Sequence, residues 1–396
     1  MTTPPPTLRA HDRAPTDAER DELASRLAAG QVVLMPTETV YGLAARADDP
    51  AALDALRALK GRPEAVPLSW HLGATRAGAV LDDLETHGLA LAPLVRRLVD
   101  AYWPGPLTLV VRVDLPSDHP AAGLVRDGLL GLRAPAHAFT EVVLGACAFP
   151  LVMSSANRHG EPPTTDAAAA LAALGDDAAH LGAAVDAGPT ASAAVELSST
   201  VLELAPGRFE VHREGLLSLA DLRRTAGLSV GFACTGNTCR SPLAEGLARR
   251  TLAARLAGGA PPAGAAARTE LLARFGFRVA SMGLAAGPGA PASPHSVTAA
   301  ARRDVDLTDH ASRPADLDLL RSLDLVYTMT RAHRDALVSG LRGSGEPDGH
   351  ELAARVHLLD PDGRDIADPF GGDAERYEAA AREIEAAVQA RLAPLA

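Results

Sequence analysis

The run LSVGFA-CTGNTCRS-PLAEGLARR, residues 228–250, constrains the fold more than any other part of the sequence. A short apolar stretch is followed at once by a tight loop and then by a helical pattern. That succession is the strand–loop–helix unit of a layered α/β sheet, and the strand must be buried for the loop to be held still. The loop has Cys234 and Arg240 at its two ends, with five residues between them, in a C-x5-R arrangement.

This spacing suits phosphoryl transfer to sulfur. Backbone N–H groups of the loop, from Thr235 through Gly236, Asn237, Thr238 and Cys239, converge with the helix N-terminus on phosphate oxygens. The same positive end favours the thiolate of Cys234 as nucleophile. Arg240 supplies a planar fork for the equatorial oxygens of the transition state, and Ser241 can donate to the thiolate. The leaving group needs a proton, and Asp368 in DPFGG (368–372) is the candidate acid. The alternative is a pair of core cysteines beside a helix cap. The strand before the loop, the helix after it and the late Asp-Pro favour the catalytic reading.

The chain has 396 residues, 47% hydrophobic and 22% charged, enough for two domains with real cores. Thirty-eight basic against forty-nine acidic residues leave a net charge of −11, which argues against a chain built to grip nucleic acid through phosphates. Three cysteines exclude a disulfide framework and fit a reducing, cytoplasmic setting. No secretory h-region follows the start MTTPPPTLRA, and the uncharged stretch 279–301 is broken by Gly, Pro and Ser, so no membrane contact is expected. Arginine occurs 37 times, but lysine once, at Lys60, and asparagine twice, at Asn157 and Asn237. Such survivors mark positions where substitution fails.

Strand and helix patterns alternate along the chain, which gives an α/β class. Residues 1–16 read as a disordered tail. Residues 17–29 and 50–60 read as helices, the second opening on Pro and stopping at Gly61. Strands are expected at 31–35, 107–111, 150–153, 200–204 and 209–212. The pattern restarts after 222–228, which gives domains at 17–222 and 228–396. AGGAPPAGAAA (257–267) reads as a low-complexity surface insertion.

Residues 228–396 resemble the low-molecular-weight protein-phosphatase family in both loop and Asp-Pro motif. The resemblance implies a doubly wound parallel sheet, a phosphocysteine intermediate and no cofactor. Ser281-Met282-Gly283 departs from the family's Ser-Ala-Gly. Thr238, where tyrosine phosphatases of the family carry an aliphatic residue, and Phe370-Gly371, where they carry two aromatics, resemble the protein-arginine-phosphatase branch. A protein-tyrosine phosphatase remains the alternative. No cysteine follows Cys239, which argues against the related arsenate reductases.

The N-terminal half carries PTETVYGL (36–43), KGRP with PLSWH (60–63, 67–71), VMSSANRHGEPPTT (152–165) and SSTV with HREG (198–201, 212–215). Each is weak alone. Their order and spacing, with WPGPLTLVV (103–111) and GLRAPAH (131–137), resemble the YrdC-like threonylcarbamoyl-adenylate synthase family over residues 17–216. A twisted, open, mixed α/β sheet is implied. So is a reaction in which L-threonine and bicarbonate form a carbamate that attacks the α-phosphorus of ATP and expels pyrophosphate. By position in the family's motifs, Lys60, Arg62, Asn157, Thr165 and Arg213 would hold ATP, with Mg²⁺ arriving on the triphosphate and no metal ligand from the protein. Thr39, His71, Arg133, Ser155 and Ser199 would hold L-threonine, Arg133 taking the carboxylate. Leu129 stands where many members have a Thr contacting ATP. Cys147 lies in an apolar run and reads as core.

The partners implied are these small molecules, a phosphorylated protein and the tRNA-modification proteins that consume the adenylate, without a stable grip on nucleic acid. Two rivals make the N-terminal half a non-catalytic module, one binding RNA and one only positioning the phosphatase.

Overall fold

The structure, a computed structural model, describes residues 4–11, 13–61, 63, 66–158, 160–190 and 198–395. The chain divides into two compact units, Met1–Leu222 and Arg223–Ala396.

The first unit is built on a mixed sheet. In chain order its strands are β1 (Thr7–Arg9), β2 (Val33–Met35), β3 (Gly42–Arg46), β4 (Ser69–His71), β5 (Leu107–Arg112), β6 (Leu129–Arg133), β7 (Leu151–Ser155), β8 (Ala183–Asp186), β9 (Thr200–Ala205) and β10 (Arg208–Arg213). They lie in the order β1-β8-β2-β3-β7-β4-β6-β5-β9-β10. β4 and β6 run parallel, while β5 and β7 are antiparallel to their inner neighbours, so residues far apart in the chain become adjacent. Helix Asp17–Ala28 opens on a capping box between Thr16 and Glu19 and buries Leu23 and Leu27 fully. Each such leucine contributes about 1.5–3 kcal/mol. They join Phe139, Val143, Met153 and Val185 in one core. Cys147 belongs to that core, and burial pushes its thiol up to about 11. Helix Pro50–Lys60 ends as its sequence requires, with Gly61 left-handed at φ 57°.

The expected disordered tail is a correction. Thr7–Arg9 form β1, paired in parallel with β8, and Ala10 is fully buried. A three-residue strand is too short to show a period, and its pairing partner lies more than 170 residues away.

The second unit has four parallel strands, β11 (Ser229–Cys234), β12 (Arg278–Gly283), β13 (Leu325–Thr328) and β14 (Val356–Leu358), in the order β12-β11-β13-β14. The order reverses beside β11, and the carboxyl end of the strand at such a switch point is where open α/β sheets bind ligands. Helix Arg240–Ala257 follows the loop, and Leu243, Leu247 and Leu252 anchor it in the core. The low-complexity insertion is not all loop, because its last three alanines open the helix Ala265–Arg274. Alanine has the highest helix propensity, and the composition of the run concealed it.

Candidate functional site

In the second unit β11 delivers Cys234 to the loop, 2% exposed. Its Sγ lies 3.0 Å from Ser241 Oγ. Ser241 Oγ accepts from Asn237 Nδ2 at 2.9 Å and lies 3.2 Å from the carbonyl of Met282. The hydroxyl has one proton and two possible acceptors. Once Cys234 is ionised, the charged acceptor takes it.

Asn237 shows why this asparagine survives. Its φ of 53° is left-handed, which asparagine tolerates better than other non-glycine residues. Nδ2 donates to Ser241 and Ser281, Oδ1 accepts from Arg313 N–H at 2.9 Å, and its carbonyl accepts from His310 Nε2 at 2.7 Å. Ser281 in turn donates to the buried carboxylate of Glu245. A Cβ on Gly283 would stand 2.6 Å from the carbonyl oxygen of Thr235, so the glycine of Ser281-Met282-Gly283 is the member the loop needs.

Arg240 is 4% exposed and reaches back across the loop. Its Nη1 donates to the Ile366 carbonyl at 3.0 Å and its Nη2 pairs with Asp368 Oδ2 at 2.8 Å. Its Nε is buried with no acceptor, a donor waiting for an oxygen. Asp368 also accepts from Phe370 N–H at 3.2 Å, and the Phe370 ring is exposed. Thr238 is half-buried at the loop's edge. Cys239 is turned toward Ser293 and Tyr377 rather than into the loop. The structure therefore brings Cys234, Asn237, Arg240, Ser241 and Asp368 together. The sequence reading missed His310, Glu245 and His333. His333 Nε2 lies 2.8 Å from Thr235 Oγ1, and burial, with Arg240 nearby, lowers the imidazole's pKa.

In the first unit a cavity of about 440 Å³ opens over the sheet, and His71, Arg133, Ser155, Ser199 and Arg213 line it. Strand register explains the grouping. His71 on β4 and Thr108 on β5 both pair with Arg133 on β6, so three consecutive strands present one polar row. Arg133 Nη2 donates to Thr39 Oγ1 at 2.9 Å and to Glu38 Oε1 at 2.7 Å, while its Nε is buried with no partner. Burial, and then Arg133, push His71 down to about 3, so its ring is neutral. Ser199 Oγ lies 3.0 Å from Thr108 Oγ1 and accepts from Arg213 Nη2 at 2.8 Å. Burial and Arg133 lower the pKa of Arg213 too, and Arg126 is a third arginine lining the cavity.

The remaining expected residues fall differently. Lys60 does not line the cavity; it is 2% exposed, and Nζ donates to the carbonyls of Ser155 and Asn157, the latter at 2.8 Å. Asn157 donates to the carbonyls of Arg158 and Glu161 and keeps a buried Oδ1 without a partner. Thr165 accepts through its carbonyl from Thr190 N–H at 2.7 Å. Arg62 lies outside the described residues. Thr108 and Glu38 were missed, because a threonine inside an apolar strand and a glutamate beside a turn carry no signal of their own.

Asp83, His87 and His119 gather elsewhere on this unit. His119 Nδ1 accepts from Ala121 N–H at 3.0 Å, which puts the ring proton on Nε2, 2.9 Å from Asp83. That is a hydrogen-bonded clasp, not a metal site ready to fill. No helix among the described residues is long and apolar enough to cross a membrane.

Comparison with known proteins falls on the same two units. The sequence model of the Sua5/YciO/YrdC family, described as telomere recombination, matches residues 25–215. That of low-molecular-weight phosphotyrosine protein phosphatases matches residues 229–396. A threonylcarbamoyl-AMP synthase of Chromohalobacter salexigens is 38% identical over 161 residues, 39% of this chain and 82% of that one. One of Mus musculus is 33% identical over 204 residues, 50% of this chain and 68% of that one. Among solved structures, the YwlE arginine phosphatase of Geobacillus stearothermophilus is 29% identical, with 42% of this chain and 90% of that chain covered at a TM-score of 0.32. The chain belongs, through its N-terminal half, to the Sua5/YciO/YrdC family, and its C-terminal half carries a low-molecular-weight phosphatase domain.

Proposed function

We propose that residues 17–222 form an L-threonylcarbamoyladenylate synthase and residues 228–396 a cysteine-dependent protein phosphatase directed at phosphoarginine. The observation that carries the first half is the row His71–Arg133–Thr108 under a cavity lined by three arginines, Arg126, Arg133 and Arg213, and by no cysteine or lysine. Adenylation by a substrate carbamate needs no protein nucleophile. It needs reactants held in line and charge neutralised.

In this reading the guanidinium of Arg133 takes the α-carboxylate of L-threonine, and the neutral His71 ring with Thr39, Ser155 and Ser199 reads the side-chain hydroxyl. A site built for that hydroxyl rejects analogues lacking it, because its own buried groups would be left unpaired. Threonine nitrogen and bicarbonate give the carbamate and water. A carbamate oxygen then bonds to the α-phosphorus of ATP, and the bond to the pyrophosphate oxygen breaks. Arg213 meets the phosphates, a role the family motif also gives Arg62, and Mg²⁺ travels with the triphosphate. Lys60 and Asn157 support the site by fixing the end of β7. The adenylate leaves for cytoplasmic tRNA-modification proteins, which make the transfer.

In the second unit Cys234 Sγ attacks the phosphorus while Arg240 turns its donors to the phosphoryl oxygens. That releases Asp368 to protonate the departing nitrogen, and water then hydrolyses the phosphocysteine. Support for phosphoarginine comes from Thr238 and Asp368, two acceptors for a planar, donor-rich guanidine. Two assays test the pair. Pyrophosphate release should require L-threonine and bicarbonate together. Competing peptides should give a higher kcat/KM for phosphoarginine than for phosphotyrosine. RNA binding without turnover would return the N-terminal half to a binding module, and a preference for phosphotyrosine would leave the phosphatase roles standing and overturn the arginine reading.

A further inference from the structure

Glu38 stands between Thr37 and Thr39 in the connection from β2 to β3, with its side chain 15% exposed. Its two carboxylate oxygens do different things. Oε1 accepts from Arg133 Nη2 at 2.7 Å, at the end of β6. Oε2 accepts from the backbone N–H of Ala136 at 2.9 Å, in the segment that follows β6. One carboxylate therefore ties two connections of the cavity wall to each other and to the guanidinium. Thr39 Oγ1 takes a further bond from the same Nη2 at 2.9 Å and is itself fixed by Thr37 Oγ1 at 3.0 Å.

An arginine side chain loses considerable rotamer freedom when it binds a ligand. Here the guanidinium is already immobilised at Nη2 by two oxygens whose own positions are fixed. The buried Nε is left without a partner, and Arg133 lines the cavity. Removing the ordering cost before the ligand arrives is how preorganisation raises affinity. Glu38 also answers an electrostatic difficulty. Arg133 is 6% exposed, and Arg213 is close enough for each to raise the cost of the other's charge. A carboxylate in direct contact with the guanidinium offsets that cost. It does not cancel the attraction for a second carboxylate, provided that carboxylate sits nearer the guanidinium than Glu38.

We propose that Glu38 is a positioning residue for amino-acid recognition: it holds Arg133 at Nη2 so that the rest of the guanidinium meets the substrate's α-carboxylate. The proposal rests on the synthase reading of this cavity. It makes the pair Glu38–Arg133, not Arg133 alone, the element that selects substrates with a free α-carboxylate.

The test is calorimetric binding of L-threonine, of L-threoninol (which lacks the carboxylate) and of ATP to the full chain. Wild type is compared with Glu38→Gln, Glu38→Asp and Arg133→Ala. Glu38→Gln keeps the shape but loses the charge-assisted bond, and should weaken L-threonine by about tenfold or more. ATP should bind within twofold of wild type, and the preference for L-threonine over L-threoninol should narrow. Glu38→Asp should recover part of the loss. In turnover the effect of Glu38→Gln should appear in KM for L-threonine rather than in kcat. Loss of threonine binding in Arg133→Ala with normal binding in Glu38→Gln overturns the proposal and leaves the synthase reading intact. Glu38→Gln losing ATP and L-threonine together also overturns it, since Glu38 would then be holding the fold. A wild-type chain that binds no L-threonine overturns the synthase reading itself.

Discussion

The two halves of this chain handle phosphoryl groups with opposite distributions of residues. In the second unit Cys234, Asn237, Arg240 and Ser241 come from a single turn of backbone, and the strand before it and the helix after it fix their geometry. In the first unit the lining residues run from Thr37 to Arg213, and only strand register brings them together. The difference follows from the chemistry. A covalent intermediate needs a nucleophile inside an anion-binding loop, which is a local object. In-line transfer between two bound substrates needs a broad surface with charges at distant points, which is a property of the sheet.

The largest effects should separate the halves. Cys234→Ser removes the thiolate and should lower phosphatase kcat by about 10^4-fold or more, while adenylate formation stays unchanged in the same preparation. Asp368→Asn should cost about 10^2- to 10^4-fold on poor leaving groups, since it removes the acid and not the nucleophile. A phosphoenzyme that still forms with a good aryl leaving group would confirm that division of labour in quench experiments. Thr238→Ile should change the ratio of kcat/KM between phosphoarginine and phosphotyrosine peptides by about 10- to 200-fold, mainly through the former. Equal ratios in variant and wild type would make Thr238 a spacer.

Smaller effects sharpen the picture of the first unit. Lys60→Ala should do more than stop synthesis. The family motif makes Lys60 an ATP contact, but the side chain is buried on the carbonyls of Ser155 and Asn157. Each carbonyl left without its donor costs about 1–3 kcal/mol. Both tryptophans, Trp70 and Trp103, lie in this unit, so their fluorescence in urea reads its unfolding selectively. An unchanged midpoint would restore the phosphate-ligand reading. His71 gives a pH dependence. Its folded pKa, near 3, lies below the ordinary value of 6.5, so the unfolded chain binds the extra proton between the two. Stability from this residue is complete above pH 6.5 and falls as pH drops toward 3, by at most about 1.4 kcal/mol per pH unit. His71→Gln should flatten that slope in the same fluorescence measurement.

The contrast also governs what could be read before the fold was known. The phosphatase loop was legible to single residues because Cys234 through Ser241 are contiguous and their flanks are periodic. Its supports, His310, Glu245 and His333, were not, since each acts across a gap set by the sheet. In the first unit, motif order pointed to Arg133, His71, Ser199 and Arg213, and the structure gathers all four. Motif order could not show that Lys60 braces β7 or that Thr108 joins the polar row, because both depend on which strands become neighbours. Strand β1 was lost for the same reason: Thr7–Arg9 mean nothing until β8 lies beside them. Asn237 sits between these cases. Its rarity marked it, and its left-handed backbone and its partners show what the rarity protects.

The most direct test of two separate chemistries on one chain uses Cys234→Ser protein with ATP, L-threonine and carbon-14 bicarbonate. The account predicts a labelled adenylate formed one-to-one with pyrophosphate, at the wild-type rate and only when L-threonine is present, from a protein that no longer dephosphorylates peptides. Pyrophosphate released without L-threonine, or no labelled adenylate from a protein whose tryptophan fluorescence reports an intact first unit, would contradict it.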